Sequence, residues 1–195
     1  MMQFLKTTIR EFLNENHLIN KGIKINSNFW KWFGDSKMKD NNGIPIIFYH
    51  CSNVNRRFSK FMDIKPIWFT KYEGYAKAFI SGSGKLFSVF LKIENPLYVG
   101  EIDGIANDKR IQYLSELTTI DMGVLYDILK ESNGVNMFNI TNSERFKKIA
   151  TDMGYDGLEA REGGGLITYA VFNTNQIKSI TNNGNWDIEN DNINS

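Results

Sequence analysis

Short apolar runs that each stop at polar or turn-forming residues constrain this chain most, because runs of that length make strands rather than long buried helices. Pro45-Ile46-Ile47-Phe48-Tyr49-His50 follows the turn Asp40-Asn41-Asn42-Gly43 and reads as a buried strand that ends in a polar group. Pro66-Ile67-Trp68-Phe69-Thr70 is a second short strand. Leu86 to Ile93 is the clearest, since its β-branched and aromatic residues stop at Asn95-Pro96. Leu158 to Arg161 and Leu166 to Phe172 flank a glycine turn, Gly163 to Gly165.

Helical patterns fill the intervals. Phe4, Leu5, Ile9, Phe12 and Leu13 recur at helical spacing near the start, and Glu73 to Ile80 is helical up to the break Ser81-Gly82-Ser83-Gly84. Ile111, Leu114, Leu117, Leu125, Ile128 and Leu129 fit one helix, or two separated near Gly123. Phe146, Ile149, Ala150 and Met153 form a further apolar stripe, with Thr141 and Glu144 as its capping box and Gly154 as its stop. The reading divides the chain into an N-terminal amphipathic helix and linker (1–28), one domain (29–180) and an Asn/Asp-rich flexible tail (181–195) with Trp186, Ile188 and Ile193 to bury.

Charge narrows the partners. The 23 Lys and Arg against 22 Asp and Glu leave +1, so no global field holds a polyanion, and nucleic acid needs a local patch. The apolar runs are too short to span a bilayer, and Met1 to Asn16 lacks the apolar core of a secretory signal. The expectation is a cytoplasmic chain without membrane association, including one delivered into a host cell by machinery that reads other signals. The single Cys51 excludes an internal disulfide, and two histidines with one cysteine make no convincing zinc set.

His50 is the first candidate for chemistry: an imidazole at the end of an apolar strand can hold a polar substrate by hydrogen bonding while neutral. The competing role is a structural histidine bonded to nearby backbone. Trp68 and Phe69 point to opposite sheet faces, so one enters the core while the other can stack on a flat ligand. Gly163-Gly164-Gly165 has no following Lys-Ser or Lys-Thr and is no phosphate loop, and Gly82 and Gly84 do not join a strand to a helix as a dinucleotide fingerprint requires. His50-Cys51 does not make a thiolate nucleophile by adjacency.

Taken in order, Phe33-Gly34-Asp35-Ser36-Lys37, Tyr49-His50, Trp68-Phe69-Thr70, Val89 to Leu97, Gly154-Tyr155-Asp156-Gly157 and Gln176-Ile177-Lys178-Ser179 carry a likeness across residues 29–180. The chain resembles the ADP-ribosyltransferase-like domains of phage and mobile-element polyvalent proteins, related to the diphtheria-toxin and poly(ADP-ribose)-polymerase type. The resemblance implies an α+β fold, a split mixed β core with surrounding helices that takes NAD as co-substrate without a metal. It implies that His50 bonds the nicotinamide-side ribose, that Cys51 supplies backbone contacts to the carboxamide, and that Ser52 lies nearby. Trp68 and Phe79 stand where ring-sandwiching tyrosines are usual, with Phe69 beside the first and Tyr72 and Tyr75 available to restore a phenol hydroxyl.

The third element departs from the family. Thr168 stands where a catalytic glutamate is expected, immediately before Tyr169-Ala170-Val171-Phe172, and a threonine hydroxyl carries no charge to stabilise a developing cation. Glu162, ahead of Glu159, is the compensating carboxylate that the glycine turn could fold inward. The resemblance thus implies mono-ADP-ribosyl transfer to a macromolecular acceptor, a protein rather than a nucleic acid, by a monomer that a neutralising partner could restrain. Two alternatives stand beside it: a catalytically degenerate NAD-binding or interaction module, and an NAD glycohydrolase.

Overall fold

A computed structural model describes residues 22–53 and 59–195, so the helix expected at the N-terminus lies outside the described residues. The chain gathers into two compact units that interleave along the sequence. The first holds the described residues up to Phe61 together with Tyr72–Ile93 and Thr174–Ser195; the second holds Met62–Lys71 and Glu94–Asn173. Seven strands and six helices among the described residues give the expected α+β class, with parallel and antiparallel pairing both present.

In the first unit, β1 (Phe48–Ser52), β3 (Lys85–Leu91) and β7 (Ile177–Ser179) form antiparallel pairs with β3 in the middle. Helix α1 (Ser27–Phe33) starts where the Asn26 side chain accepts from the amides of Asn28 and Phe29. It delivers Phe29, Trp32 and Phe33 to the core. Phe29 meets Phe90 and Trp186 edge-on, with centroids 5.2 and 4.8 Å apart. Short helix α2 (Glu73–Lys77) ends earlier than the sequence pattern suggested.

The C-terminal segment differs from the loose tail its composition suggested. Trp186 is buried and its indole N–H donates to the Lys24 carbonyl at 2.9 Å. The amide of Ser179 donates to the Ile193 carbonyl at 2.7 Å, and that of Ile193 to the Ser59 carbonyl at 2.8 Å, so the segment runs along β7. Its asparagines and aspartates make local turns: Asn182, Asn183, Asp187, Asn190 and Asn192 each accept, through the side chain, the amide two residues on. A composition that resembles disorder is here a run of Asx turns pinned by two buried hydrophobes.

In the second unit the strand order is β4 (Pro96–Glu101), β5 (Gly157–Glu162), β6 (Leu166–Val171), β2 (Ile67–Thr70). Only β4 and β5 pair in parallel, which requires a long crossover. That crossover is α3 (Asp108–Thr118), α4 (Met122–Glu131), α5 (Met137–Thr141) and α6 (Glu144–Asp152). Their apolar stripes cover Leu97, Val99, Leu158, Ala160 and Ala170. The break between α3 and α4 falls at Thr119, which takes a left-handed φ of 58°, and at the cap Asp121, leaving Gly123 inside α4. Ser143, not Thr141, caps α6. Strand β4 was not foreseen because Pro96 reads as a stop, yet it is the first residue of an edge strand, where proline is tolerated.

Candidate functional site

Alternation along β1 puts Phe48, His50 and Ser52 on one face and Tyr49 and Cys51 on the other. The His50 ring stands edge-on to Phe61, with centroids 5.1 Å apart, and Phe61 meets Phe87 at 5.5 Å. Phe87 is also the cross-strand partner of His50, so the imidazole sits among aromatic rings in the middle of β1, which runs two residues past the point where the sequence pattern ended it. Ser52 closes β1 where Gly84 passes so near that a Cβ there would lie 3.0 Å from the Ser52 carbonyl oxygen.

The other face of β1 looks toward α2. Burial, then the Glu73 carboxylate, raise the Tyr49 phenol above its ordinary value, while Lys77 opposes them. Burial also raises the Cys51 thiol against the pull of Lys77, so Cys51 stays protonated at neutral pH and a thiolate mechanism gains no support. Glu73 and Lys77 pair at 2.6 Å, one turn apart. Tyr75 and Phe79, two of the rings expected to flank a heteroaromatic ligand, form an edge-to-face pair 5.2 Å apart. Phe79 and Tyr72 are exposed.

Within the second unit, register settles which candidates share a face. Trp68 pairs with Ala170 and Thr70 with Thr168; across β5, Ala160 faces Thr168 and Glu162 faces Leu166. Trp68, Thr70, Thr168 and Glu162 therefore lie on the helix-covered face, and Phe69, Tyr169 and Glu159 on the other. Of the two carboxylates weighed from sequence, alternation selects Glu162, which is half-buried. The Trp68 indole N–H donates to Asn142 Oδ1 at 3.0 Å and its ring tilts against Phe138 with centroids 5.7 Å apart. Phe69 is 2% exposed and belongs to the core, so it presents no open face for stacking.

Thr168 is 3% exposed, and its Oγ1 is a buried polar atom with no hydrogen-bond partner among the described residues. An orphaned hydroxyl of this kind is destabilising by about 1–3 kcal/mol. The Thr168 hydroxyl is thus inward and shielded, while Glu162 on the same face keeps access to solvent.

Sequence reasoning missed Asn142, the acceptor that orients the Trp68 indole, and Asp103, whose carboxylate accepts the Gly163 amide directly after Glu162. Asp103-Gly104 carries the signal of a turn dipeptide but nothing in sequence ties it to residue 163. The remaining quoted segments act as locks on the fold. Ser36 Oγ donates to the Leu91 carbonyl at 3.0 Å and accepts from Ile93 at 3.1 Å. Gln176 Nε2 donates to the Lys92 carbonyl at 2.8 Å. The Asp156 carboxylate accepts the amides of Glu94 and Asn95 at 2.7 and 2.8 Å, which fixes the parallel start of β4 beside β5.

No match was found among curated proteins or among solved structures. The family model for ADP-ribosyltransferases in polyvalent proteins matches residues 40–187, a span containing both units' candidate residues, and the chain belongs to that family. ADP-ribosyltransferases take NAD as co-substrate. Among the described residues no cluster of three or more His, Cys, Asp or Glu is arranged to hold a metal, and no helix is long and apolar enough to cross a membrane.

Proposed function

We propose that the chain is a mono-ADP-ribosyltransferase that moves ADP-ribose from NAD to a macromolecular acceptor and releases nicotinamide. The observation that carries this reading is the family match over residues 40–187, which contains His50 on β1 and the β5–β6 hairpin with Glu162. In this reading His50 bonds the ribose on the nicotinamide side, and the Cys51 backbone and Ser52 hold the carboxamide. Tyr72, Tyr75, Phe79 and Trp68 supply aromatic surface near the ring, with Phe69 as the packing beneath. As the bond from ribose C1′ to the nicotinamide nitrogen breaks, the electron pair leaves with nicotinamide and positive charge builds on the ribose. A nucleophile of the acceptor then adds at C1′ and loses its proton. Glu162 supplies the negative charge that favours this state, and Thr168 acts through packing and its hydroxyl.

The near-neutral charge of the chain favours a protein acceptor over a nucleic acid. A second reading, an NAD-binding or interaction module without turnover, is supported by the uncharged, shielded Thr168 hydroxyl at the position of the usual glutamate. Adenine-labelled NAD incubated with His50→Ala, and with His17→Ala at the chain's other histidine, which stands among Asn16, Leu18 and Ile19 without companion motifs, tests the placement. Transfer should fall on the order of a hundredfold for His50→Ala and stay near wild type for His17→Ala. Equal activity in the two variants would remove His50 from the site.

A further inference from the structure

The β5–β6 hairpin is clamped on both sides of Glu162. On one side the Arg161 carbonyl accepts the Ile102 amide at 2.9 Å; on the other the Gly163 amide donates to the Asp103 carboxylate. The turn beyond is soft by composition, since Gly164 and Gly165 take φ of 75° and 78°, a conformation that glycine adopts freely. Without an external tether such a turn would sample many arrangements and carry the end of β5 with it. Asp103 is itself held: the Arg110 guanidinium donates to the Asp103 carbonyl and, at 3.2 Å, to Glu101 Oε2. A charged acceptor on a backbone amide is stronger than a neutral one. The tether therefore lies at the residue following the carboxylate that shares the face of Thr168.

We propose that Asp103 is a positioning residue for ADP-ribosyl transfer, fixing the Gly163 peptide so that the Glu162 carboxylate is held where charge develops. This rests on the reading in which Glu162 stands in for the glutamate missing at Thr168. Asp103 acts through the backbone and touches no reacting atom. Removing it leaves the ring-binding residues in place, so binding of NAD is preserved while the chemical step slows.

The test compares wild type, Asp103→Ala, Asp103→Asn, Glu162→Gln and the Asp103→Ala/Glu162→Gln double variant, each checked for an unchanged melting profile. Nicotinamide release gives kcat and KM for NAD, and amide hydrogen exchange reports on Gly163. Asp103→Ala should speed Gly163 exchange and lower kcat about tenfold or more with KM for NAD little changed. Asp103→Asn keeps an acceptor oxygen and should recover most of that loss. The double variant should be no slower than Glu162→Gln alone, because both changes remove one function. Faster Gly163 exchange with unaltered kcat, or losses that multiply in the double variant, would overturn the positioning role. A fully active Glu162→Gln would overturn the role of Glu162 and the positioning role with it, whereas a wild type that releases no nicotinamide would overturn the activity itself.

Discussion

Lys178 offers a stability prediction whose sign and size follow from its surroundings. It sits in β7 at 0% exposure, and its ammonium donates to the carbonyls of Asn190 at 2.7 Å and Asn192 at 3.0 Å, so it fastens the C-terminal segment. Burial lowers it from the ordinary 10.5 to about 8, although Asp187 and Asp191 pull the other way. Between those two values the unfolded chain holds the Lys178 proton and the folded chain has released it, so stability rises with pH across that window. Below pH 8 both states carry the charge and folding bears the full penalty of burying it. The gap corresponds to roughly 3 kcal/mol, gained at about 1.4 kcal/mol per pH unit. Lys178→Met removes the titration while keeping an unbranched apolar stem, at the expense of two carbonyls left without a donor. Denaturant unfolding followed by tryptophan fluorescence, run from pH 7 to 10.5 on both proteins, isolates the effect as a difference between them. Wild type should gain on the variant steadily above pH 8; a difference that stays flat, or shrinks as pH rises, would refute the account of this lysine.

Thr168→Val exchanges an unpartnered buried hydroxyl for a methyl of the same shape, so thermal unfolding should show stability unchanged or higher by about 1 kcal/mol. A loss of more than about 1 kcal/mol would mean that the hydroxyl is satisfied after all. Asp156→Ala strips the acceptor from the Glu94 and Asn95 amides and should destabilise by about 1–3 kcal/mol in chemical denaturation, while Asp152→Ala on the exposed face of α6 should change stability by less than about 0.5 kcal/mol. Cys51, with its thiol raised by burial, should alkylate slowly with iodoacetamide at pH 7 and faster only well into the alkaline range; rapid labelling at pH 7 would contradict the assignment of an unactivated thiol.

Most of the strands were legible because period and punctuation agreed: Leu86 to Ile93 became β3, and the two runs around the glycine turn became β5 and β6. The fold class followed from the ordered motifs, and the family match bears it out. What the sequence hid was long-range and polar. Strand β4 was concealed by its leading Pro96, and no local signal announces that Asp156 reaches Glu94 and Asn95 across the crossover. The Asn/Asp-rich end looked loose because composition cannot show that Trp186 enters a cluster built by Phe29, Trp32 and Phe90. At the candidate site, face assignments needed register. Alternation alone says Trp68 and Phe69 diverge; the packed structure shows that Phe69 is the buried one, and pairing with β6 that Glu162, not Glu159, shares the side of Thr168.

The central claim, transfer of ADP-ribose from NAD, is tested most directly by incubating the purified chain with NAD labelled separately in its nicotinamide and adenine moieties, together with a protein extract. The account predicts free nicotinamide matched by adenine label in precipitable protein. Nicotinamide release without protein-bound label would mean hydrolysis, and release of neither product beyond the enzyme-free blank would contradict the claim.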